Sequence, residues 1–68
     1  MNKNILTKRE KEVFTLLVNN MTTRDIAREL GISEKTVRNH ISNAMQKIGV
    51  KGRAQAVVEL LRMNVINI

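Results

Sequence analysis

Apolar positions recur along this chain at helical intervals, and they predict four helices. Val13, Phe14 and Leu17, with Leu16 beside them, share one side of a segment from about Lys8 to Val18. Thr7 and Glu10, three residues apart ahead of that stripe, have the spacing of a capping box, in which each side chain accepts from the other's backbone amide. Residues 1–6 read as a short frayed lead, whose last member, Leu6, is placed to close the helix entry. Asn19 and Asn20 end the helix, because asparagine tolerates left-handed backbone. A second helix is expected over 23–30, capped by Thr22 with Asp25 in its first turn, and with Ile26, Ala27 and Leu30 inward. Gly31 stops it and Ile32 plugs the corner. Ser33 then caps a third helix over 34–48, whose stripe is Val37, Ile41, Ala44 and Ile48 with Met45 beside it. Gly49 closes that helix, residues 50–52 form a loop, and a fourth helix covers 53–63. The apolar tail after Met63 carries no pattern that predicts its order.

Two faces are left over once a core is drawn. The outer side of the third helix carries Lys35, Asn39, Ser42, Asn43 and Gln46, with Arg38 and Thr36 on its flanks. It reads as lacking the acid–base pairs, four residues apart, that support a merely solvated helix. Its short amides and hydroxyl are mediocre helix formers, so their concentration there predicts contact with something outside. Ala27, Gly31 and Val37 are four and then six residues apart, the spacing of a helix-turn-helix. Lys35, Arg38, Asn39, Ser42 and Asn43 are the donors and acceptors suited to base edges in a DNA groove. The second face lies on the last helix, whose apolar arc spans roughly 220° at ~100° per residue, wider than packing on one core requires. A homodimer interface through Ala54, Val58, Leu61 and Met63 is the expected use of the excess.

Composition narrows the partner. Sixty-eight residues make one small domain, spanning 1–68, and a chain of this size buries only about 60% of its unfolded surface. Twelve Lys and Arg against six Asp and Glu leave +6, which favours a polyanion. The excess is localised: Lys35, Arg38, Lys47, Lys51 and Arg53 fall in a stretch with no acid, while Glu10, Glu12, Asp25 and Glu29 offset their neighbours earlier in the chain. Phe14 is the sole aromatic, so the core is aliphatic. There is no cysteine, and one histidine, His40, makes neither a metal site nor a catalytic pair. His40 is expected to pack between helices and donate one hydrogen bond, with a phosphate contact as the alternative. Gly31, Gly49 and Gly52 punctuate helices and do not form a phosphate loop. No enzyme activity, cofactor, metal, small-molecule ligand or membrane segment is expected.

The run LTKREKEVFTLLV followed by TTRDIARELGISEKTVRNHISNAMQKIGVKGRAQAVVELLR resembles the LuxR-type, or GerE-type, helix-turn-helix domain, over about Leu6 to Met63. Leu6-Thr7 with Arg9-Glu10 is similar to the family's opening. Ile26-Ala27 with Leu30, then Ser33, Thr36-Val37 and His40, is similar to its central signature. The resemblance implies an all-α, four-helix domain that dimerises through its last helix and lays its third in the major groove of double-stranded DNA. It implies base reading by Arg38, Asn39 and Ser42, with Lys35 and Asn43 as neighbours. It implies phosphate contacts from helix ends: Thr22 or Thr23, Ser33, Thr36, Lys47 and Arg53. Within the family the likeness is strongest to a stand-alone member without receiver or ligand-binding domain. That implies a cytoplasmic, nucleoid-associated regulator of late-sporulation, spore-coat genes, acting as activator and repressor, with RNA polymerase as a further partner. The competing reading is a protein-interaction module, similar to a promoter-reading region of a sigma factor, that docks on RNA polymerase.

Overall fold

A computed structural model describes residues 5–67; residues 1–4 of the expected lead and residue 68 of the tail lie outside the described residues. Four α-helices follow in order: α1 (Lys8–Val18), α2 (Thr23–Leu30), α3 (Glu34–Ile48) and α4 (Arg53–Arg62). Among the described residues there is no strand. The boundaries match the sequence expectation except at the end of α4, where Met63 is the cap.

The termini explain why the boundaries were legible. Thr7 and Glu10 form both halves of a capping box, and Thr22 and Asp25 form another. The Ser33 hydroxyl accepts from the Thr36 amide at 3.0 Å. Each helix then ends in the same way. A residue with positive φ, Asn20, Gly31, Gly49 or Asn64, reverses the chain. The amide after it donates to a carbonyl five residues back: Met21 to Leu16, Ile32 to Ala27, Val50 to Met45 and Val65 to Leu60. This is the Schellman arrangement, and the apolar residue that follows the turn packs onto the helix it closes.

Helix α3 is the centre of the packing, touching α2, α1 and α4. Val13 and Phe14 of α1, Ile26 and Ala27 of α2, Val37, Ile41 and Ala44 of α3 and Ala56 and Leu60 of α4 form one buried cluster. Leu16, Leu17 and Ile48 are half-buried around it. Two expectations are corrected. Leu6, counted with a frayed lead, is buried in the core. The tail, given no order by its sequence, folds back: the turn at Asn64 drives Val65 and Ile66 into the same cluster beside Leu60.

One charged side chain is buried among the described residues. Glu10 is 3% exposed. Its Oε1 accepts from the Thr7 amide at 3.0 Å and from Lys47 Nζ at 2.7 Å. Burial pushes this carboxyl up. The Lys47 hydrogen bond, the Thr7 amide and the charges of Lys47 and His40 outweigh it, so the group lies below its ordinary value. A carboxylate with a lowered folded-state pKa stabilises the fold above its unfolded value, about 4.3, and that support fades as pH falls through the folded value. The urea midpoint is therefore expected to be level from pH 7 to about pH 5 and to drop in more acid solution. Glu10→Gln should flatten that acid limb; an unchanged limb would place the titration elsewhere. Asp25, held low by the Thr22 amide and hydroxyl, is exposed and adds to the same limb.

Candidate nucleic-acid interface

Helix α3 is held by its underside. Val37, Ile41 and Ala44 are sealed, with Met45 and Ile48 half-buried at the margins. Their spacing of four, three and four turns the remaining positions outward. Lys35, Asn39, Ser42, Asn43 and Gln46 are all exposed, so the amides and hydroxyl of the expected base-reading face stand free along the helix. Arg38 is exposed on one flank. Thr36, half-buried His40 and Lys47, at intervals of four and seven, occupy the other flank, toward α1.

The flanks hold two features that differ from the sequence reading. Arg38 lies 3.7 Å from Glu34, an acid–base pair four residues apart on a helix read as having none. Glu34 also sits in the first turn of α3, where a negative charge is favourable. Both side chains are about half exposed, so water and an incoming phosphate or base can separate them. Lys47, expected as a phosphate contact, is bound to the buried Glu10, thirty-seven residues away in sequence. Glu10 precedes Val13 by three and Phe14 by four, which puts it on the apolar side of α1. That periodicity was a readable sign of burial.

The other expected phosphate contacts lie at helix starts. Ser33 and Thr36 share a hydroxyl–hydroxyl hydrogen bond of 2.9 Å at the start of α3. Thr22 is exposed and its hydroxyl caps α2, while Thr23 is half-buried behind it. Helix α4 differs from the others: Gly52 offers no side-chain cap and the first turn has no acid. Arg53 there sets a cation at the positive end of a helix, an unfavourable placement that an anion would relieve. Arg53 and Lys51 are both exposed.

Helix α4 buries Ala56 and Leu60 and leaves a flank uncovered. Ala54 and Val58 are exposed, Val58 to 50%, and Leu61 is half-buried between them and the core. Met63 is 39% exposed. It lies about 140° around the helix from Val58 at ~100° per residue, with Gln55, Glu59 and Arg62 between them. Ala54, Val58 and Leu61 form one patch, and Met63 stands apart from it.

Other features offer less. An open groove of about 420 Å³ runs between α1 and α2, lined by Leu16 and Leu30 with two lysines and two glutamates, and takes no residue from α3. Among the described residues no cluster of His, Cys, Asp and Glu suits a metal ion. No described helix is long and apolar enough to cross a membrane.

Comparisons with known proteins agree with this geometry. The family described as bacterial regulatory proteins, luxR family, matches residues 4–60. The spore germination protein GerE of Bacillus subtilis (strain 168) is 79% identical over 61 residues, covering 90% of this chain and 82% of that protein. The transcriptional regulatory protein DegU of Brevibacillus brevis is 52% identical over 58 residues, which is 85% of this chain and 25% of DegU. A solved structure of the transcription factor GerE superposes with a TM-score of 0.89 at 60% identity, covering 91% of this chain and 92% of that one. The response regulator ChrA of a heme-sensing two-component system matches with a TM-score of 0.86 at 30% identity, over 97% of this chain and 33% of its own. The chain thus belongs to the LuxR (GerE-type) family of bacterial regulatory proteins and is an all-α, helix-turn-helix, DNA-binding transcription regulator.

Proposed function

We propose that the chain works as a homodimer that reads two DNA half-sites and controls sporulation genes. The carrying observation is the outer side of α3, exposed from Lys35 to Gln46 and made of groups that match base edges, over a sealed aliphatic underside. Arg38 is suited to fork onto guanine O6 and N7, and Asn39 to pair with adenine N6 and N7. Ser42, Asn43 and Lys35 complete the contact. Arg53, Ser33, Thr36 and Thr22 or Thr23 hold phosphates on either side. An apolar stripe on α3, which docking on RNA polymerase through this helix would use, is absent from its described outer face.

Dimerisation is supported by the uncovered patch of Ala54, Val58 and Leu61 on α4. Two α3 helices would then enter successive major grooves, with half-sites about one turn, ~10 base pairs, apart. The spore germination protein GerE, 79% identical, supports a place in sporulation. On this reading it controls late, spore-coat genes as activator and repressor, inside the cell and on the nucleoid. Activation would add RNA polymerase as a partner on a face other than these two.

Selection of bound sites from a random DNA pool, followed by footprinting, tests the reading. Paired half-sites at a fixed spacing are expected; equal affinity for every duplex would refute it. Arg38→Ala should cost roughly 1–3 kcal/mol on the selected site and relax the preference at one base. A loss of equal size on unrelated DNA would show that Arg38 contacts only the backbone.

A further inference from the structure

We infer that Glu10 is a positioning residue that withholds Lys47 from DNA, so that Lys47 braces α3 and adds no net charge to the interface. The inference rests on the DNA-binding reading and concerns which cations of the basic stretch contribute to it. Of Lys35, Arg38, Lys47, Lys51 and Arg53, Lys47 has a bound partner of a different kind. Glu34, opposite Arg38, is exposed and 3.7 Å away. Glu10 is buried, with 4% of its side chain exposed, and lies 2.7 Å from Lys47 Nζ.

Both charges sit where a helix favours them. Glu10 is in the first turn of α1, at its positive end, and Lys47 in the last turn of α3, at its negative end. The same Oε1 also accepts from the Thr7 amide, which fixes the carboxylate in place. Withdrawing Lys47 toward a phosphate would leave that carboxylate buried without its cation, an arrangement far costlier than parting an exposed pair. At a phosphate several ångströms off, the two opposite charges largely cancel. The pair also ties the start of α1 to the end of α3, and so holds the reading helix at its far end.

The test measures DNA affinity against salt concentration, together with thermal unfolding, for the intact chain and four variants. Arg53→Gln, which removes an exposed cation, is expected to lower the magnitude of the salt slope by about one. Lys47→Gln leaves Glu10 without its cation and should lower the unfolding midpoint by roughly 10 °C. Glu10→Gln keeps the acceptor for Thr7 and Lys47 but removes the negative charge. It should steepen the slope by up to about one and raise affinity several-fold at moderate salt. The double variant Glu10→Gln with Lys47→Gln removes both members of the pair, so it should keep the slope of the intact chain and regain much of the midpoint lost by Lys47→Gln alone. Two results overturn the inference: a slope flattened by about one in the double variant, or a Glu10→Gln slope equal to that of the intact chain. Salt-independent or absent DNA binding by the intact chain is a separate failure, that of the DNA-binding reading itself.

Discussion

Val58→Glu is expected to lower affinity for a two-half-site duplex by about 100-fold or more, while binding to a single half-site stays as it was. The size follows from linkage: once one half-site is held, the second binds from a high local concentration, an advantage of roughly 10²–10⁴ that vanishes when the two copies separate. Val58 is the cleaner position for this test because it is 50% exposed in the single chain, so a charge there meets water. Leu61, which the sequence also offered, is half-buried against the core, and a glutamate there would disturb the fold as well. Sedimentation should show the variant as a monomer with unchanged circular dichroism. A monomeric variant that still binds the paired site with full affinity would mean that α4 is not where the copies meet.

Phe14→Ala is expected to bring the domain to the edge of unfolding at 25 °C. Phe14 is fully buried and is the one aromatic side chain available to fill the space between the helices. Truncating such a residue costs about 3–5 kcal/mol, because the cavity is only partly closed by its neighbours. A chain of 68 residues has roughly 3–10 kcal/mol of stability in all. Urea titration followed by circular dichroism checks this. Ile66→Ala belongs to the same class at about 2–5 kcal/mol, because Ile66 is sealed beside Leu60. A nearly unchanged midpoint in Ile66→Ala would show that the tail is not part of the cooperative core.

Legibility differed from element to element for identifiable reasons. Thr7 with Glu10, Thr22 with Asp25, and Ser33 act within one turn of chain, and the structure bears out all three caps. The turns at Asn20, Gly31 and Gly49 are equally local, since a residue that tolerates positive φ can end a helix where the apolar stripe stops. Asn64 followed by Val65 repeats that signal after α4, so the fold-back of the tail is also a local feature of the chain. The Arg38–Glu34 pair was likewise readable from spacing alone.

Local signals set the four helices, their ends, the aliphatic underside of α3 and its polar outer side, because caps, turns and periodicity act between residues a few positions apart. The tertiary structure alone decided that Lys47 belongs to Glu10, that Val65 and Ile66 complete the core, and which flank of α4 stays uncovered. Those outcomes depend on which surfaces distant segments bring together. A lysine toward the end of α3 looks the same in sequence whether it faces solvent or a buried carboxylate from α1.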